Sequence, residues 1–296
     1  MSITKDPSRS AEAVTAAHVS TKPPAFGVII IGDEILSGKR ADKHLAKVIE
    51  LLAARGLSLA YADYVGDDPA RITKTLARAL ASGDIVFSFG GIGATPDDHT
   101  RHCAATALGV PLALHPEAAA LIYERMADMA LEKGIPYEPE RSDNMHRLNM
   151  AMFPPGASII PNPYNKIAGF SCEGKPEGEG GGCVHFVPGF PVMAWPMVEW
   201  VLDTHYAPWF SKVQWLEKSI IIYGAMESTL TPLMEDLERA HQGIKVFSLP
   251  SVDHLQYGRH IELGVKGPAV HVTGAYASLL SGLRQFTLEF GPELVR

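Results

Sequence analysis

Asp84-Ile85-Val86-Phe87-Ser88-Phe89-Gly90-Gly91-Ile92-Gly93-Ala94-Thr95-Pro96-Asp97-Asp98-His99-Thr100 is the stretch that decides the fold of this chain. An apolar, β-branched run breaks into Gly90, Gly91 and Gly93, and Pro96, Asp97, Asp98 and Thr100 then supply helix-start chemistry ahead of Cys103. The pattern predicts a buried strand, a glycine turn and a helix amino terminus. Glycines permit positive φ and close backbone approach, while free N–H groups at a helix start favour an anion, above all a phosphate. Ser88, Thr95 and Thr100 have no Gly-x-Ser-x-Gly elbow around them, so they read as phosphate hydrogen-bonding or capping groups rather than nucleophiles. Asp97 and Asp98 would repel a bare phosphate, which implies a divalent cation, Mg²⁺, Mn²⁺ or Co²⁺, between acid and phosphate.

Working outward, residues 25–32 form a second apolar strand that ends in the polar turn Gly32-Asp33-Glu34-Ile35-Leu36-Ser37-Gly38. Asp42 opens a helix to about Arg55, with Leu45, Val48, Ile49 and Leu52 at helical spacing. Residues 57–65 make a third strand, closed by Gly66-Asp67-Asp68-Pro69, and the proline starts a helix over 70–81. Repeated strand–helix units imply right-handed crossovers and a mostly parallel sheet, and ligands bind off the carboxyl ends of such strands. Asp33, Asp67 and Asp97 or Asp98 therefore converge on one edge. Asp67 and Asp98 also stand where an aspartate caps a helix, and both readings remain open at this point.

Further along, residues 116–133 and 144–152 read as helices and 158–161 as a strand. A polar loop carries Asn162, Asn165 and Lys166, the last able to pair with a phosphate. Two strands around 170–172 and 183–187 flank a glycine-rich, mobile tip at 173–182, and Pro188-Gly189-Phe190-Pro191 turns the second of them toward a helix over 192–204. From Lys218 the pattern changes to that of a small α+β unit of the split β-α-β kind.

The 296 residues suit two domains, here 25–208 and 217–296 after a mobile tail of residues 1–24. A net charge of −7 without a Lys/Arg cluster argues against nucleic acid. Cys103, Cys172 and Cys183 have neither zinc spacing nor the density of a disulfide scaffold. With no signal-peptide core and no membrane-length apolar run, a cytoplasmic protein without membrane partners is expected.

Taken in order, the Gly32–Gly38 turn, Val65-Gly66-Asp67-Asp68, Gly90–Thr100, Asn162-Pro163, Gly169-Phe170 and Pro188–Pro191 resemble the molybdopterin-binding (MoaB/Mog-like) domain family, closest to its CinA-type variant. Gly224-Ala225-Met226-Glu227-Ser228 is similar to a motif in the domain that follows in that variant. The resemblance implies a three-layer α/β/α fold, a ligand that is a phosphorylated pterin such as molybdopterin or a nucleotide, and assembly into dimers or trimers. It implies that Asp67 and Asp98 are essential, acting through a divalent ion; Asp33 and Asp42 are expected as further ligands. Gly32, Ser88, Gly90, Gly91, Gly93, Thr95, Thr100, Asn162, Lys166, Pro188 and Gly189 are the expected substrate contacts. Cleavage of a pyrophosphate, as in ADP-ribose or FAD, is the implied chemistry; molybdopterin adenylylation and binding without turnover are the alternatives. CinA-type proteins also carry an amidohydrolase domain, and the chain ends before one is expected. The chain departs from the family pattern at Asp42-Lys43-His44, usually Asp-Thr-Asn, and at Asn165–Ala168. It also lacks the usual glutamate after Pro191.

Overall fold

The computed structural model describes residues 24–174, 182–210 and 215–296. The expected tail up to residue 23 and most of the glycine-rich tip lie outside the described residues. The chain divides into two compact units, Met1–Ile49 with Ser58–Trp209 and Glu50–Leu57 with Phe210–Arg296.

In chain order the first part runs β1 (Phe26–Ile31), α1 (Asp33–Leu36), α2 (His44–Ala53), β2 (Leu59–Val65), α3 (Pro69–Ala81), β3 (Ile85–Phe89) and α4 (Thr100–Leu108). It continues with β4 (Ala113–Leu114), α5 (Pro116–Lys133), α6 (Ser142–Leu148), β5 (Met152–Phe153), β6 (Ser158–Ile160), β7 (Gly169–Glu173), β8 (Cys183–Val187) and α7 (Pro191–His205). Six strands form one sheet in the order β2-β1-β3-β8-β7-β6. The first four are parallel, and β7 and β6 each run antiparallel to the strand before them in the sheet.

Every residue of β1 and β3 is buried. Strands covered on both faces read as unbroken apolar runs, whereas β2, at the sheet edge, keeps only Val65 buried. On one face Ile29, Ile31 and Val86 share a core with Ile72 and Leu76 of α3, Ala104 of α4 and Ile122 of α5. On the other, His44 of α2 stacks on Phe89 at 4.4 Å and Tyr206 meets Phe26 edge-on at 5.7 Å. A buried polar chain crosses this second face: Ser171 Oγ lies 2.7 Å from His185 Nδ1, and His185 Nε2 lies 2.7 Å from Tyr206 Oη.

Several local expectations are corrected. The turn after β1 is helical over Asp33–Leu36. In α2 the buried stripe is Val48, Leu51 and Leu52, at i, i+3 and i+4, which leaves Ile49, one residue round the helix, 48% exposed. The helix expected at 144–152 starts at Ser142 and tightens into a 3₁₀ turn over Asn149–Ala151.

The second unit comprises β9 (Trp215–Tyr223), α8 (Glu227–Ala240), β10 (Lys245–His254), β11 (Gly258–Pro268), α9 (Ala269–Leu283) and β12 (Glu289–Val295). Its sheet order is β10-β11-β9-β12, with all neighbours antiparallel. Strands β9 and β10 are thus parallel with β11 between them, the split β-α-β arrangement. Strand β12 carries Gly291 and Pro292, which hid it in the sequence. An edge strand tolerates proline, and the pairing with β9 is interrupted between Phe290 and Glu293.

Candidate functional site

Strand β3 hands directly to the glycine turn. Gly90 and Gly91 take φ of 94° and 68°. A Cβ on Gly90 would stand 2.5 Å from the Ile31 carbonyl oxygen, and one on Gly91 would collide with Thr100 Oγ1. Thr100, the first residue of α4, staples the turn: its amide donates to Gly91 O at 3.0 Å and its hydroxyl to Gly90 O at 3.1 Å. The amides of Gly91, Ile92 and Gly93 have no acceptor among the described residues. Consecutive free amides of this kind form an anion-binding concavity.

Asp98 closes the turn rather than capping α4. Its Oδ2 accepts from the Thr95 amide at 2.8 Å and the Thr95 hydroxyl at 2.5 Å, while the cap position belongs to His99, whose side chain makes no capping bond. The cap of α3 is Asp68, which accepts from the Arg71 amide at 2.8 Å. That leaves Asp67 to join the ends of β1 and β2. The Asp67 amide donates to Asp33 Oδ1 at 3.1 Å, and Asp67 Oδ2 accepts from the Asp33 amide at 2.9 Å. Burial raises the Asp67 pKa above the ordinary carboxylate value; the amide of Asp33 opposes that rise, and the charges of Asp33, Glu34 and Asp97 add to it.

The carboxyl ends of β1, β2, β3 and β8 enclose a cleft with two lobes. One, of about 190 Å³, is lined by Gly32, Asp67, Gly90 to Gly93, Asp97, Asp98, Pro188 and Gly189. The other, of about 240 Å³, is lined mainly by Ile30, Ile31, Ile35, Asp42, His44, Phe89, Phe190 and Pro191. Ile31, Glu34, Arg40, Gly189 and Phe190 border both, so the lobes adjoin. His44 is buried in the wall of the second lobe, with Nε2 3.1 Å from Gly189 O and no partner for Nδ1 among the described residues. Burial lowers its pKa.

Of the residues expected here, Gly32, Asp67, Gly90, Gly91, Gly93, Asp98, Pro188 and Gly189 come together around the first lobe. The others do not line it. Ser88 is fully buried within β3, one residue short of the turn, and strand alternation turns it away from the face of Phe89. Thr100 is consumed by its bonds to the turn, and Thr95 faces a neighbouring cleft on the far flank. Asn162 is spent inside its own loop, bonding Asn165, the Ile167 carbonyl and the Tyr164 amide. Lys166 pairs with Asp128 at 2.7 Å and Glu124 at 3.5 Å on α5.

Of the four aspartates expected to share a metal, only Asp67 and Asp98 line the first lobe. Asp42 accepts from the amides of His44 and Leu45 and from Tyr64 Oη, at the ring-sized lobe, and Asp33 borders the groove beside α3. Among the described residues no three His, Cys, Asp or Glu side chains form a metal-holding group. Asp67 and Asp98 remain as a pair in one lobe. That donor set suits a cation arriving with phosphates, which needs only one or two carboxylates, and not a resident centre.

Sequence reasoning missed Glu34, Arg40 and Arg101. The first two border both lobes as an ion pair, Arg40 Nη1 lying 3.6 Å from Glu34 Oε1. Arg101 is 3% exposed, and its Nη2 donates to Gly93 O at 2.6 Å. A cation in the first turn of a helix opposes the helix dipole, and that anomaly was the available signal.

The family model described as a probable molybdopterin binding domain matches residues 27–207. A protein of Thermoplasma volcanium is 30% identical over 223 residues, 75% of this chain and 79% of that protein. A putative competence-damage inducible protein of Alkaliphilus metalliredigens is 30% identical over 210 residues, 71% of this chain but 47% of that protein. The crystal structure of the protein CinA from Thermoplasma acidophilum is 27% identical and covers 60% of this chain and 97% of its own, with a TM-score of 0.49. Among the described residues no helix is long and apolar enough to cross a membrane.

Proposed function

The chain belongs to the family of probable molybdopterin binding domains, and from that membership we propose that its two-lobed cleft binds a phosphorylated pterin or nucleotide and hydrolyses a pyrophosphate bond, as in ADP-ribose or FAD. The observation that carries this reading is that the two lobes adjoin, sharing Ile31, Gly189 and Phe190. Free amides of Gly91, Ile92 and Gly93 suit a phosphate, and the adjoining apolar walls of Ile30, Ile35, Phe89 and Phe190 suit a ring one linker away.

In this account the glycine amides orient the phosphate and take up charge as it develops on the phosphate oxygens. Water attacks phosphorus, the new P–O bond forms as the bridging P–O bond breaks, and the leaving phosphate keeps the electron pair. Asp67 takes the proton of the attacking water. Asp67 lines the same lobe as the free amides, which suits it to that role. A metal ion brought in on the phosphates would be held by Asp67 and Asp98 and would neutralise phosphate charge. Asp98, fixed by Thr95, and the Asp33 amide on Asp67 set the two carboxylates in place.

Incubation of the purified chain with ADP-ribose, with FAD, and with ATP plus molybdopterin, each with Mg²⁺, Mn²⁺ or Co²⁺, tests the reading. Release of AMP from ADP-ribose or FAD is expected. Saturable binding without turnover under every condition would reduce the protein to a binding module, and adenylyl transfer to the pterin would assign it the alternative chemistry.

A further inference from the structure

We propose that Arg101 is a positioning residue for the phosphate, holding the glycine turn from behind while its charge is balanced by the anion in front. The inference rests on the glycine lobe being a phosphate cradle. Arg101 is almost wholly buried. Its Nη2 donates to Gly93 O at 2.6 Å, its Nη1 donates to Asn149 O, and its Nε has no partner among the described residues.

Both acceptors are neutral backbone carbonyls, and no carboxylate among the described residues makes an ion pair with it. The one acid whose charge acts on it appreciably is Asp98. That carboxylate also lies against Gly93, where a Cβ would come 2.6 Å from Asp98 Oδ2. A guanidinium buried without a counter-ion is costly. A neutral amide would satisfy two carbonyls as well, so bonding alone does not account for a permanent charge here. The guanidinium bonds the carbonyl of Gly93, the last of the three residues Gly91, Ile92 and Gly93 whose amides are free. A phosphate on those amides would be the missing counter-charge, held across a short stretch of protein rather than across water.

Titrating the full chain with AMP and with adenosine separates the proposal from the reading beneath it. Wild-type protein that binds AMP no more tightly than adenosine would overturn the phosphate cradle itself, and the role of Arg101 with it. Given a preference for AMP, Arg101→Met is expected to reduce that preference about tenfold while leaving adenosine affinity unchanged, and Arg101→Lys to retain most of it. A loss shared equally by both ligands, or a preference untouched by Arg101→Met, overturns the proposal. If Arg101→Met fails to fold, the wild-type AMP preference measured against salt decides. A charge behind the turn is screened little, so the preference should fall less than about twofold between about 20 and about 200 mM salt. A steep fall would give the phosphate to exposed cations such as Arg40 instead.

Discussion

Asp33 and Asp67 exchange hydrogen bonds across the ends of β1 and β2, each carboxylate accepting from the other residue's amide, at 3.1 and 2.9 Å. The exchange fixes Asp67 at the lip of the cleft and places a second negative charge beside it. Asp33→Asn keeps the shape and removes that charge. The Asp67 pKa then falls, and the acid limb of the pH–rate profile for pyrophosphate cleavage moves to lower pH. Asp33→Ala also orphans the Asp67 amide and should cost about 1 kcal/mol in urea unfolding. An acid limb unmoved in Asp33→Asn would remove Asp67 from the proton transfer.

Gly91 and Gly38 share a left-handed backbone, with φ of 68° and 73°, but not their surroundings. A Cβ on Gly38 meets nothing within 4 Å, whereas one on Gly91 runs into Thr100 Oγ1. Gly38→Ala should therefore cost about 1 kcal/mol of stability, the backbone penalty alone. Gly91→Ala should cost roughly 2 kcal/mol or more, because the staple to α4 must yield as well, and should abolish AMP binding. Equal melting temperatures for the two variants would contradict the packing of Thr100 against the turn.

Lys166, read from the sequence as a phosphate ligand, is committed to Asp128 and Glu124. Lys166→Met should leave AMP affinity unchanged within twofold. Its effect on stability should stay within about 1 kcal/mol, as for other exposed ion pairs. A tenfold loss of AMP affinity would return this lysine to the site.

His185 is buried between Ser171 and Tyr206, and burial pushes its pKa down to about 3. The unfolded chain takes up this proton near pH 6.5 while the native protein refuses it until about 3. Stability is therefore fully present above pH 6.5 and is lost as pH falls through the window below. Between pH 7 and pH 5 the wild type should lose about 2 kcal/mol through this group. His185→Gln should flatten that dependence even if it lowers stability at pH 7. Parallel pH profiles for the two proteins would show that another group carries the acid sensitivity.

What was legible in the sequence was local. The run Ile85–Phe89 into glycines, and the Gly-Asp ends of the two neighbouring strands, carry their structure in adjacent residues, so the parallel sheet and the edge that bears the cleft could be read directly. Direction and partnership could not. Ser88 and Phe89 are neighbours in sequence, yet the strand turns them to opposite faces. Asn162 and Lys166 looked available until the Ile167 carbonyl and α5 supplied partners that no spacing announces. Asp68 and not Asp67 caps α3, since which of two adjacent acids caps a helix depends on where β1 delivers Asp33. Arg101 was passed over because an arginine in a helix reads as surface until the fold buries it.

The most direct measurement is a crystal structure of the chain with ADP-ribose and a divalent cation. The account predicts a phosphate on the amides of Gly91, Ile92 and Gly93, within reach of Asp67 and Asp98, with the adenine in the lobe of Ile30, Phe89 and Phe190. Phosphate density elsewhere, such as over Arg71 and Lys74 on α3, with the glycine turn empty, would contradict it.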